Sequence, residues 1–329
     1  MTAIAATMQA FFTERLIGQR RASTHTIAAY RDTLRLLLGF TAARTGTPPC
    51  RLDIAWLDAP LIAAFLDHIE HKRGNSIRTR NARLAAIHSL FGFAALRHPE
   101  HAADIARVLA IPAKRGDQTI VTFLTDDEAS ALLAAPDRAT RTGRRDHAWI
   151  LLAIQTGLRA SEITSLTCKD VHLGTAPYVA CHGKGRKDRI TPLTPGTVTT
   201  LRAWLAERAG RPDDPLFDTI RGGPMSHDAL QQRLTLHAAA AGQSCPGLTS
   251  KNVTPHVLRH SAAMALLRAG VDITVIALWL GHESVTTTQI YLQADMALKQ
   301  RALDRTTPPA STPGRYKPGD QLLAFLEAL

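Results

Sequence analysis

At 329 residues, with 45% apolar and 20% charged side chains, the chain is long enough for a sizeable core and about two domains, and its composition is that of a soluble globular protein. The 39 Lys+Arg against 28 Asp+Glu leave a net charge of +11, which favours a polyanionic partner through phosphate neutralisation, with a solubilising surface charge as the plain alternative. Four scattered cysteines without zinc spacing, an N-terminus without a basic stretch leading into an apolar one, and no run near the ~18 apolar residues of a membrane span predict reduced, mostly buried thiols in a cytoplasmic protein that is neither exported nor embedded.

Residues 1–112 read as a helical domain. Ser23 or Thr24 caps a helix with Ile27, Tyr30, Leu34 and Leu37 or Leu38 along one face. A second helix, 75–96, turns Ile77, Leu84, Ile87, Leu90 and Phe91 inward and leaves Arg78, Arg80 and Arg83 on polar faces, where they either grip a DNA backbone or form a solvated surface. The polar and basic stretch 113–122 reads as a linker. A second domain, 123–306, opens with Thr125 and Glu128 in capping-box spacing. An apolar helix is expected from Asp146 to Thr156, broken at Gly157, which puts Arg159 at a rigid junction; an Arg159–Glu162 pair is the structural alternative. Around 178–193 the period changes to that of a β-hairpin, with Lys184, Arg186 and Lys187 at its tip. Helices follow at 197–209 and 226–241.

The stretch 254–291 then concentrates chemistry. Thr254 and Pro255 open a helix that displays His256 and Arg259 three residues apart. A second short helix, from Asp272 to Gly281, delivers His282, and Tyr291 follows on a segment begun near Ser284. The Pro-rich stretch after 307 leads to QLLAFLEAL, an apolar peptide that must bury itself on its own domain or on a neighbouring copy. The fold class expected is mainly α with a small β-hairpin.

The sequence carries no P-loop, no G-x-G-x-x-G and no carboxylate cluster suited to Mg²⁺, which speaks against a metal-dependent nuclease or a nucleotide-driven motor; no metal or cofactor is expected. Two arginines, a lysine, two histidines and a tyrosine are what metal-free phosphoryl transfer requires. Guanidinium forks hold the phosphoryl oxygens, tyrosine needs a nearby base, and a lysine is a suitable acid for the departing oxygen.

These pieces, TGLRASEI, HGKGRKDRITPL, HVLRHS, LGH and then Tyr291, occur in an order that resembles the tyrosine recombinases of the phage-integrase and Xer family. The resemblance implies a helical core-binding domain that clamps DNA and an α+β catalytic domain. It implies that Tyr291 attacks the scissile phosphate to form a 3′-phosphotyrosyl link, that Arg159, Arg259 and His282 stabilise the transition state, that Lys184 protonates the leaving oxygen, and that His256 assists Tyr291. Strand exchange through a four-way junction would follow, by a homo-tetramer on double-stranded DNA or a hetero-assembly with related recombinases, with the segment 307–329 docked on a neighbour. The rival readings are a type IB topoisomerase and a catalytically silent DNA-binding protein.

Overall fold

The computed structural model describes residues 3–116, 121–182, 188–282 and 284–294. The chain divides into two compact units, Met1–Gln118 and Thr119–Leu329.

The first unit is helical. Helix α1 (Ala3–Ala10) runs on as a π-helical stretch, Phe11–Gln19, and is followed by α2 (Thr24–Thr45), α3 (Ala59–Asp67), α4 (Ile77–Ala94) and α5 (Ala102–Leu109). Serines start the two long helices: Ser23 Oγ accepts from the Thr26 amide at 3.2 Å and Ser76 Oγ from the Thr79 amide at 3.2 Å. Phe11, Leu37, Phe65, Ile87 and Phe91 meet in one apolar core.

One expectation for this unit is corrected. Arg80 does not lie on a solvated face of α4. It is 5% exposed, and its Nη1 donates to Asn81 Oδ1 at 3.1 Å and to the Pro112 carbonyl at 3.3 Å, with Glu70 3.8 Å from its Nε. The segment 112–114 packs back onto α4, where Asn81 also receives the Lys114 amide at 3.1 Å. Arg80 therefore holds the chain's own backbone, whereas Arg78 is exposed and Arg83 half-buried.

In the second unit, α6 (Asp126–Ala134) starts on the expected capping box of Thr125 and Glu128. Helix α7 (Arg141–Thr156) begins five residues before the expected Asp146, because Thr140 caps it by accepting the Gly143 amide at 3.0 Å. The polar first turn is paired across the unit, Arg141 with Asp218 at 3.0 Å and Arg144 with Glu207 at 2.7 Å. After α8 (Ala160–Ser165) comes a three-stranded antiparallel sheet of β1 (Val171–His172), β2 (Tyr178–His182) and β3 (Asp188–Pro192), in the order β1-β2-β3. The short β1, paired Val171 to Val179, extends the expected hairpin by a strand.

The chain continues through α9 (Pro195–Arg208), α10 (His227–Gly242), α11 (Pro255–Arg268), α12 (Ile273–Leu280) and α13 (Ile290–Ala294). Trp149, Leu152, Leu158, Val179, Leu201 and Leu258 share the main core, and Met264, Ile276, Leu280 and Tyr291 a second cluster around α11 to α13. The mainly α architecture with one small sheet is the class that the sequence predicts. Of the cysteines, Cys181 is buried, Cys168 and Cys245 are half-buried and Cys50 is exposed, so the thiols are less buried than expected. Among the described residues, no helix is long and apolar enough to cross a membrane.

Candidate active site

The site grows from the ends of two helices. At the end of α7, Gly157 takes φ +66°, and Leu280 lies 2.6 Å from where a side-chain carbon would sit; no other residue fits that turn without strain. The turn aims Leu158 into the core and leaves Arg159 at the N-cap of α8. There Glu162 Oε2 accepts the Arg159 amide at 2.7 Å, and Glu162 Oε1 accepts Arg159 Nη1 at 2.9 Å. The pairing expected as an alternative to a functional arginine is present, yet it leaves Nη2 to reach the Gly281 carbonyl at 2.9 Å.

Two further guanidiniums converge on the same place. Arg259, 2% exposed on α11, donates from Nη1 to the Gly157 carbonyl at 2.7 Å and from Nη2 to the Leu280 carbonyl at 2.6 Å. Arg189 on β3 grips both Glu162 oxygens, at 2.8 and 2.7 Å, and donates from Nε to the Trp279 carbonyl at 3.1 Å. Three arginines thus cap the consecutive carbonyls of Trp279, Leu280 and Gly281 at the C-terminus of α12, where a helix leaves acceptors unpaired and its dipole is negative. Burial, and then Arg159, pull the Arg259 pKa down to about 10, which still leaves it charged. Burial pushes the Glu162 carboxyl up, but the bonds from Arg189 and Arg159 outweigh it and keep it ionised.

Gly281 (φ +64°) reverses the chain at that end and presents His282 beside the arginines. Burial and the charges of Arg259, Arg159 and Arg189 depress His282 to about 4, so it is neutral at physiological pH. Its Nδ1 lies 2.7 Å from the hydroxyl of Thr288. Ser284 caps the following turn, and α13 brings Tyr291 back onto α11, where its hydroxyl lies 2.9 Å from Nδ1 of His260. Tyr291 is 1% exposed. Burial raises its pKa, against the pull of Arg259 and then Arg159.

Arg159, Arg259, His282 and Tyr291 are therefore brought together. His256 stands one turn from His260 on α11, exposed at its edge, with the two rings 4.2 Å apart, and meets Tyr291 through that second imidazole. Lys184, Arg186 and Lys187 lie outside the described residues, between β2 and β3. His260, Arg189 and Thr288 were not singled out from the sequence. His260 is signalled only by its spacing of four from His256, and Arg189 by its place in the basic hairpin motif. Among the described residues one group, Asp67, Glu70 and His71, has metal-ligand spacing, but Glu70 is taken by Lys114 at 2.9 Å, so it is a charge-paired surface.

The model of the phage integrase family matches residues 122–297, and that of the phage integrase N-terminal SAM-like domain matches residues 10–98. The chain belongs to the phage integrase family of tyrosine recombinases. It is 52% identical over 326 residues to the putative integrase/recombinase y4rC of Sinorhizobium fredii, covering 99% of this chain and 98% of that one. It is 33% identical over 292 residues to the tyrosine recombinase XerC of Xanthomonas campestris pv. campestris, covering 89% and 85%. Among solved structures, the fold of this recombinase is similar to that of the XerH site-specific recombinase bound to palindromic difH substrate, with a TM-score of 0.67 at 23% identity over 87% of this chain and 81% of that one.

Proposed function

We propose that this recombinase cuts and rejoins specific sites in double-stranded DNA through a covalent link to Tyr291. The observation that carries the reading is the gathering of Arg159, Arg259, His282 and Tyr291, distant in sequence, around one helix end. The relatives named recombinases and integrases support it, as do neighbours of the same fold described in complex with DNA, XerH and a lambda integrase dimer on a core site.

In the proposed reaction the Tyr291 oxygen attacks the scissile phosphorus. The bond to the 5′ oxygen breaks, a 3′-phosphotyrosyl bond forms, and Lys184 gives the departing oxygen its proton. The phenolic proton passes to the histidines. His260 Nδ1, at 2.9 Å, is the nearest acceptor, with His256 behind it. A phosphodiester held by Arg159, Arg259 and His282 brings a negative charge that raises the depressed His260 imidazole and makes it a better base. The arginines and His282 meet the charge that develops on the phosphoryl oxygens. The link conserves the energy of the diester, so a partner strand's 5′-hydroxyl can reverse the step without ATP, and two such exchanges pass through a four-way junction.

The domains are assigned as a DNA-clamping unit over 1–112, a linker over 113–122 and a catalytic unit over 123–306. The working form is a homo-tetramer on DNA or an assembly with related recombinases, in the cytoplasm, serving integration or excision of a mobile element or Xer-like resolution. The segment 307–329, outside the described residues, docks on a neighbouring protomer. Truncation after Thr307 should leave DNA binding intact and abolish assembly and recombination; normal recombination by the truncated chain removes that part of the reading.

The test of the whole is covalent trapping on labelled, nicked duplexes drawn from the DNA flanking the protein's own gene, without metal or ATP. A protein-linked band that Tyr291→Phe abolishes is expected. A band that survives in the variant refutes the assignment of the nucleophile. Relaxation of a plasmid that carries no paired site would instead point to topoisomerase activity.

A further inference from the structure

We propose that the Thr288 hydroxyl donates its proton to Nδ1 of His282 and thereby keeps the imidazole proton on Nε2, making His282 a hydrogen-bond donor towards a phosphoryl oxygen. The inference deepens the recombinase reading and rests on it for the identity of the acceptor.

Thr288 is fully buried, so its hydroxyl proton has no water to turn to and must find an acceptor in the protein. Among the described residues, Nδ1 of His282, at 2.7 Å, is the one acceptor within hydrogen-bond reach of Thr288 Oγ1. The opposite polarity, Nδ1–H donating to Oγ1, would strand a buried hydroxyl proton. The hydroxyl itself is firmly placed: the Thr288 amide donates to the Val285 carbonyl at 2.8 Å, and the Thr288 carbonyl accepts the Tyr291 amide at 3.1 Å. On the other side, the His282 amide donates to the Ala277 carbonyl at 2.9 Å, and Arg159 and Arg259 hold the two carbonyls that precede it. The imidazole is neutral near pH 7, so one tautomer has to be chosen, and only the Nε2–H form offers a proton outward when Nδ1 is engaged. Thr288 is thus a positioning residue that acts on His282 and, through its backbone, starts the turn that carries Tyr291.

The test uses the full chain with ¹⁵N-labelled histidine side chains at pH 7.5, the His282 signal being the one lost in His282→Gln. The native protein should show a protonated Nε2 and a bare Nδ1. Thr288→Val, of similar shape without the hydroxyl, should shift that tautomer balance, and Thr288→Ser should restore it. On a nicked duplex, Thr288→Val should slow single-turnover adduct formation by about tenfold to a hundredfold with DNA affinity unchanged, the range found when a metal-bound histidine loses the group that orients it, and Thr288→Ser should recover most of the rate. A native His282 with its proton on Nδ1, or a Thr288→Val protein with native tautomer and rate, overturns the proposal. Failure of the native chain to form any adduct would strike the recombinase reading alone, because the tautomer is read without DNA.

Discussion

The hydroxyl of Tyr291 and Nδ1 of His260 lie 2.9 Å apart, in a cluster where His282 is also depressed to about 4. Burial, then His256, Arg259 and His282, lower His260 to about 4 as well. Both folded values lie below the ordinary 6.5, so the unfolded chain binds protons that the native chain refuses. The stability that these two imidazoles contribute is therefore complete above about pH 6.5 and is lost as pH drops towards 4. Urea midpoints measured at pH 7.5 and 5 should show the fall, and His260→Gln and His282→Gln should each flatten it. An unchanged slope in both variants would refute this account.

Glu162, 3% exposed, holds Arg159 and Arg189 at once. Glu162→Ala leaves two guanidiniums facing each other without their anion, and removal of one partner from a buried pair costs about 3 to 5 kcal/mol. Chemical denaturation should register a loss of that order, together with loss of adduct formation. A variant of native stability would mean that the arginines are held by the carbonyls of α12 alone.

Arg78 and Arg80 sit two residues apart on α4 in different worlds. Arg78→Ala should leave the melting temperature unchanged, weaken DNA binding and reduce the slope of log affinity against log salt by about 1, as loss of one phosphate contact does. Arg80→Ala should lower the melting temperature, because the Pro112 carbonyl loses its buried donor and Glu70 keeps only Lys114. Reversal of the two phenotypes would contradict the burial described for Arg80.

Asp146, wholly buried in α7, is bonded to Arg145, Arg233, His237 and the Trp149 indole. Burial pushes its carboxyl up, but His237 and the arginines outweigh it and bring it from 3.8 to about 2. That stability is present above pH 3.8 and is lost as pH falls towards 2, a more acid window than that of the histidines. Asp146→Asn should destabilise the fold by about 3 kcal/mol or more while adduct formation per folded molecule stays at the native level. A lower specific rate in the variant would show that this network reaches the site.

What could be read in the sequence follows how local its physics is. The caps at Thr125, Thr254 and Asp272 and the stop at Gly281 act within one turn, and the structure has all four. The start of α7 was missed because Arg141 and Arg144 find their carboxylates at Asp218 and Glu207, partners that no local pattern reveals. Arg78 and Arg80 look alike until the segment 112–114 folds onto one of them. His256 and His260 share a helix face, and only the return of α13 selects His260 as the neighbour of the phenol. Glu162 could be read as a partner of Arg159, but Arg189 joins them from a strand whose approach is purely tertiary.

The three guanidiniums on the carbonyls of Trp279, Leu280 and Gly281 have a practical consequence. An alanine at any of these arginines exposes a helix terminus as well as removing a charge, so such a protein is no inert control for the intact one. Lysine is the more informative replacement: it keeps the charge but cannot span two oxygens. Comparing the two substitutions at one position separates architecture from chemistry in a way that neither does by itself.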